Sequence, residues 1–122
     1  MNWKKHGWKV LPILLLIYAV VAGLTIRVPD LPIVEESIRN LFYHVGMWFA
    51  MMVMFVISFV FSLRHLRTFS RRDDIMAHES ASVGLLFGLL GIFTGMIWAK
   101  NTWGAYWVKD PQLIGAAVSI LA

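Results

Sequence analysis

Residues 41–63 read LFYHVGMWFAMMVMFVISFVFSL, a stretch with no Asp, Glu, Lys or Arg and a single histidine, His44. A run this long and this apolar is able to cross a bilayer as a helix, which assigns the chain to the membrane class. Composition agrees with that reading. The 122 residues are 59% hydrophobic and 15% charged, with a mean hydropathy of +0.70, whereas soluble domains run near 45–50% apolar and about 25% charged. The formal net charge of +4 does not point to nucleic acid, because the basic residues sit in short runs flanking apolar segments. The chain has no cysteine, which excludes disulfides, thiolate metal ligation and a cysteine nucleophile.

Working outward, residues 10–26 form an uncharged run preceded by Lys4, Lys5 and Lys9. Val20-Val21-Ala22 offers a signal-cleavage reading, but the run is long for a signal sequence and further spans follow, so it is expected to be an uncleaved anchor. A third span is expected at 76–99, extended back to Asp73 because Ser70-Arg71-Arg72-Asp73 resembles a capping box. A fourth, at 111–122, stops at Ala122. The helix from Ile114 onward covers about 13 Å, less than half of a roughly 30 Å hydrocarbon core. The chain therefore reads as the front part of a longer protein. The expected fold is all-α, a polytopic membrane helix bundle. It comprises a single membrane domain over residues 1–122, incomplete at its C-terminal end. Three complete transmembrane helices (about 10–26, 41–63 and 76–99) precede the start of a fourth (111–122), with a short aromatic outer-face segment between helices three and four.

Orientation follows from basic residues near the span ends. Seven lie on one side (Lys4, Lys5, Lys9, Arg64, Arg67, Arg71, Arg72) and four on the other (Arg27, Arg39, Lys100, Lys109), where Asp30, Glu35, Glu36 and Asp110 offset them. The amino terminus is expected inside. Between spans one and two, Asp30 suits a cap, Pro32 a first turn, and Ile33, Val34, Ile38, Leu41 and Phe42 share one face, so the second helix is expected to begin above the membrane.

On the third span, Ala77, Ala81, Gly84, Gly88, Gly91 and Gly95 recur at spacings of four and three and continue to Trp98 and Thr102. Small residues let helices approach closely in lipid. The strip suits either packing within the bundle or docking to another subunit. His6, His65 and His78 fall at the inner surface, whereas His44 lies about one turn inside the outer end of its span. An ionisable residue there is either functional or a neutral imidazole bonded to a neighbouring helix. Met47, Met51 and Met54 run inward on the same face and suit flexible packing.

Residues 101–112 read NTWGAYWVKDPQ. Trp and Tyr belong to membrane-edge belts, and Asp110-Pro111 is what a helix start needs. If 102–109 were a short helix, Trp103, Tyr106, Trp107 and Asp110 would share a face. Such an aromatic platform near an imidazole suits a large flat apolar ligand such as a metalloporphyrin.

The segment TWGAYWVKDPQL resembles the tryptophan-rich segment W-G-x-W-W-x-W-D-x-R-L of the cytochrome c assembly family, membrane proteins that handle haem at the outer face. LFYHVGMW is similar to the context in which that family places an upstream histidine, and RVP after the first span fits the haem exporter protein C branch. The resemblance covers nearly the whole chain. It implies His44 as a haem axial ligand, so that His44 is also the metal-ligand candidate. It further implies Trp103, Gly104, Tyr106, Trp107 and Asp110 as the segment facing haem or a chaperone. Tyr106 and Lys109 replace Trp, and Gln112 stands where Arg is usual. By the resemblance an Arg at that position would pair with a haem propionate; Lys109, Lys100, Arg39 and Arg27 are candidate substitutes for it, each also readable as a snorkelling cation. The family's second histidine is expected beyond residue 122.

The function expected from the resemblance is binding and transfer of haem at the outer face of the cytoplasmic (inner) membrane for cytochrome c maturation. The cofactor would be haem b, held transiently and without covalent attachment. The partners implied are a membrane-tethered haem chaperone and an ATP-binding-cassette transporter complex, besides membrane lipid and with no nucleic acid. No constellation of enzyme chemistry is seen in the sequence. The alternative is a membrane scaffold whose Gly84, Gly88, Gly91 and Gly95 dock partner helices, without a haem site.

Overall fold

The computed structural model describes residues 3–29 and 38–122. The described residues are all-α, in four helices: α1 (Trp3–Thr25), α2 (Asn40–Thr68), α3 (Arg71–Trp103) and α4 (Pro111–Leu121). Three of them, from His6–Thr25, Asn40–Thr68 and Arg71–Trp103, are long and apolar enough to cross a membrane, and α4 is a shorter apolar helix. The protein is a multi-pass membrane protein. The helical bounds outrun the apolar spans, since backbone hydrogen bonding continues through Arg64–Thr68 and from Arg71 onward, where charge ends an apolar run but does not end a helix. The helical start expected between Asp30 and Ser37 lies outside the described residues.

The chain divides into two compact units, residues 1–39 and 40–122. In the first, α1 carries Pro12 in its interior. After its last turn, Arg39 Nη1 donates to the carbonyls of Gly23 (3.2 Å) and Ile26 (2.6 Å). Terminal carbonyls of a helix need such donors, and the arginine supplies them.

The second unit is built on the antiparallel pair α2–α3. The expected capping box at 70–73 does not form: Ser70 is the N-cap by position but its side chain makes no cap bond. The Asp73 carboxylate is engaged elsewhere, accepting from Thr68 Oγ1 at 3.4 Å and facing Arg64 Nε at 3.5 Å. The turn is closed instead by Phe69, a non-glycine residue at φ 51, and by His65 Nδ1, which donates to the Ser70 carbonyl at 2.9 Å. Further along, Ser58 Oγ donates to Ala77 O at 2.8 Å.

The small-residue strip is the seam of this pair. The buried residues of α3 are Asp73, Ala77, Ser80, Gly84, Gly88, Gly91, Gly95 and Ala99, so Ser80 and Ala99 join the seam, and Ala81, Trp98 and Thr102 are half-buried beside it. A Cβ on Gly84 would lie 2.8 Å from Phe55, on Gly88 2.9 Å from Met51 Sδ, on Gly91 3.2 Å from Trp48 and on Gly95 2.8 Å from His44. The side chains that fill the strip thus come from α2 of the same chain. α4 joins them through Ile120, whose Cδ1 would lie 3.0 Å from a Cβ on Gly88.

Candidate functional site

His44 is in the second turn of α2, and the residues around it come from both helices of the pair. Asn40 Nδ2 donates to Thr94 O at 2.7 Å and ties the start of α2 to α3. One turn on, His44 Nδ1 lies 3.0 Å from Gly91 O and 3.1 Å from Thr94 Oγ1. The absence of side chains on Gly91 and Gly95 is what brings the ring to the α3 backbone. On the other side of the ring, Trp48 Nε1 donates to His44 Nε2 at 3.2 Å.

These partners fix the state of the imidazole. A backbone carbonyl only accepts, so Nδ1 must carry the proton; an indole N–H only donates, so Nε2 must present its lone pair. Thr94 Oγ1 donates to Leu90 O or Gly91 O, which leaves its oxygen free to accept from the same Nδ1–H. His44 is therefore a neutral imidazole in one tautomer. The arrangement is that of a metal-ligating histidine oriented by a carbonyl on its other nitrogen, and it is equally that of an interhelical hydrogen bond. Of the two readings of the sequence, the neutral imidazole bonded to a neighbouring helix is the one that the ring's contacts display.

Aromatic contact to His44 comes from Trp48 and Trp98, each edge-on with ring centroids 6.0 and 5.9 Å away. Trp98, expected on the continuation of the small-residue strip, is the α3 aromatic at the histidine. Trp48 and Thr94 were not singled out in the sequence at all. The signal for Trp48 was its spacing: i+4 from His44 puts it on the face that meets the glycines.

The tryptophan-rich segment departs from the expected short helix. α3 continues to Trp103 and ends on Gly104, which takes the left-handed conformation (φ 80) as C-cap while its N–H reaches Lys100 O. A glycine with positive φ just past a helix ends it, so residues 104–110 are not helical and the shared face of Trp103, Tyr106, Trp107 and Asp110 does not form. The three rings are exposed. Lys100 Nζ donates to Gly104 O at 2.8 Å and stands 5.4 Å over the Tyr106 ring, so that cation braces the turn. Asp110 Oδ1 accepts from the N–H groups of Gln112 (2.7 Å) and Leu113 (3.2 Å), with Pro111 in the first turn. Its local role is the N-cap of α4. Trp103 follows Gly95 by two turns, about 12 Å of helix rise, so His44 and the aromatic segment belong to one end of the α2–α3 pair.

For a haem ligand the donor set fits in one respect and is restrained in another. His44 has the neutral form and tautomer that iron coordination needs, and exposed aromatic rings lie at the same end. Its Nε2 is covered by Trp48. Among the described residues, no group of three or more His, Cys, Asp or Glu side chains is able to hold a bare metal ion.

The family described as "Heme exporter protein C" matches residues 4–122. Heme exporter protein C of Bradyrhizobium diazoefficiens is 31% identical over 86 residues, covering 70% of this chain and 32% of that protein. Cytochrome c biogenesis protein CcsA of Pelargonium hortorum is 36% identical over 56 residues, covering 45% of this chain and 18% of its own length. The CcsA protein of Buxus microphylla is 38% identical over 58 residues, 46% of this chain and 18% of the relative. The chain thus spans a third or less of the length of these curated relatives. No solved structure matches the chain significantly.

Proposed function

Given that this chain belongs to the Heme exporter protein C family of cytochrome c biogenesis proteins, we propose that it holds haem at the outer face of the cytoplasmic membrane and passes it on during cytochrome c maturation. The observation that carries the proposal is the His44 ring. Its Nδ1–H is anchored on the Gly91 carbonyl, and its Nε2 keeps a lone pair whose present partner is the Trp48 indole N–H. Haem b, bound without a covalent link, would supply the iron and a flat apolar macrocycle.

In that reading His44 would hold the haem iron, Gly91 O and Thr94 keep the ring's tautomer, and Trp98 walls the ring. Trp103, Tyr106 and Trp107 offer aromatic area for stacking, and Gly104 and Asp110 set the turn that carries them. The basic residues at the Ser70 end outnumber those at the His44 end, which supports an N-terminus inside and the tryptophan-rich segment outside. A membrane-tethered haem chaperone and an ATP-binding-cassette transporter complex are the partners proposed with this function, and the role is carriage, not catalysis.

The scaffold alternative loses its docking surface, because a partner helix on Gly84, Gly88, Gly91 and Gly95 would have to displace Phe55, Met51, Trp48 and His44. The deciding experiment is the haem absorption spectrum of the full-length protein in detergent. It is recorded beside His44→Ala and Trp107→Ala at matched protein amounts. Loss or displacement of the haem bands in both variants is expected; unchanged bands would return the chain to the scaffold class.

A further inference from the structure

Trp48 differs from the other side chains that fill the glycine seam. Met51 and Phe55 occupy equivalent positions against Gly88 and Gly84, and neither carries a hydrogen-bond donor. Trp48 does, and its indole N–H donates to His44 Nε2 at 3.2 Å. That lone pair is the one imidazole function not committed to anchoring the ring on Gly91 and Thr94. Gly91 makes the contact possible: a Cβ there would lie 3.2 Å from Trp48 Cε2 and 3.4 Å from its Nε1. A side chain at position 91 would require the indole to give way.

We infer that Trp48 is a resting-state cap on His44, its indole N–H occupying the ligand nitrogen in the empty protein and giving it up when iron takes that place. The inference rests on the reading of His44 as the axial ligand. The exchange is balanced: one N–H···N hydrogen bond breaks and one iron–nitrogen bond forms, while Nδ1 keeps its proton on Gly91 O and no electron moves. On release the indole takes the lone pair back. A carrier gains from this, because the empty state has a bond of its own for the ligand nitrogen, which eases departure of the cargo. A net hydrogen bond corresponds to about a fivefold change in an equilibrium.

The test uses the full-length protein in detergent with Trp48→Phe, which keeps a ring against Gly91 and removes the donor. In the empty protein, carbethoxylation of His44 by diethyl pyrocarbonate, followed by peptide mass, should run about fivefold faster in Trp48→Phe, and haem titration should be about fivefold tighter. Unchanged rate and affinity, or weaker haem binding, would overturn the cap, while loss of haem in His44→Ala run alongside would leave the ligand reading standing. Haem binding indifferent to His44→Ala would overturn the ligand reading and the cap together. A second measurement does not depend on that variant's function. With nitrogen-labelled tryptophan, the Trp48 indole proton resonance (identified by its loss in Trp48→Phe or Trp48→Tyr) should shift in His44→Ala and on adding haem. A resonance that moves in neither case overturns the proposal.

Discussion

The His44 ring lies against Gly95 so closely that a Cβ on that glycine would sit 2.8 Å from His44 Cε1. Gly95→Ala must therefore move the ring, and with it the bond from Nδ1 to Gly91 O. Overpacking of this kind costs about 1–3 kcal/mol. The variant should melt earlier in detergent and carry less haem than wild type. Gly46→Ala is the control, since a Cβ there meets nothing within 4 Å, and it should change neither measurement.

Gly88 faces two helices at once, with Met51 Sδ and Ile120 Cδ1 near its would-be Cβ. Both atoms are ends of flexible side chains, so Gly88→Ala should be absorbed with a small loss. Gly88→Leu should separate α4 from the α2–α3 pair. Thermal denaturation of the isolated protein reads the difference, and a large drop for leucine without any partner present marks the seam as internal.

Asp110 separates cap from charge. Asp110→Ala removes the acceptor for Gln112 and Leu113 N–H and should destabilise the start of α4 by about 1 kcal/mol, whereas Asp110→Asn keeps the acceptor. Hydrogen exchange at residues 112–115 should quicken only in the alanine variant. Haem retention that falls in both variants would instead assign the carboxylate a role in the site.

At the opposite end of the pair, Arg64 is 61% exposed and its partner Asp73 only 4%. Arg64→Ala should cost at most about 1 kcal/mol, as exposed partners do. Asp73→Ala also strips the acceptor from Thr68 Oγ1 and should cost more. Comparing the two melting temperatures in detergent checks the order.

The spans were legible because apolar length is a strong signal, and the start of α4 because Asp110-Pro111 states its own geometry. The His44 position was legible as unusual for its depth, but the sequence left its two readings open, and the ring's partners explain why. Gly91 O is a backbone group that no residue pattern advertises, and Thr94 and Trp48 acquire meaning only once α2 and α3 are set in register. The short helix expected at 102–109 failed at Gly104. Aromatic spacing fitted a helical face, but a glycine after Trp103 and a lysine in the last turn are the marks of a helix ending. The capping box at Ser70 failed because its acid was claimed by Thr68 and Arg64.

Only Phe69 and Ser70 separate α2 from α3. Closing so short a loop costs little chain entropy, and contacts between neighbours in sequence form fast. The pair is therefore expected to zip from this turn during synthesis, with His44 meeting Gly95 last, since it lies farthest from the hinge. A nascent chain would complete its histidine anchor only when the whole seam above it had registered. Maturation of the site then doubles as a check that the hairpin was built correctly.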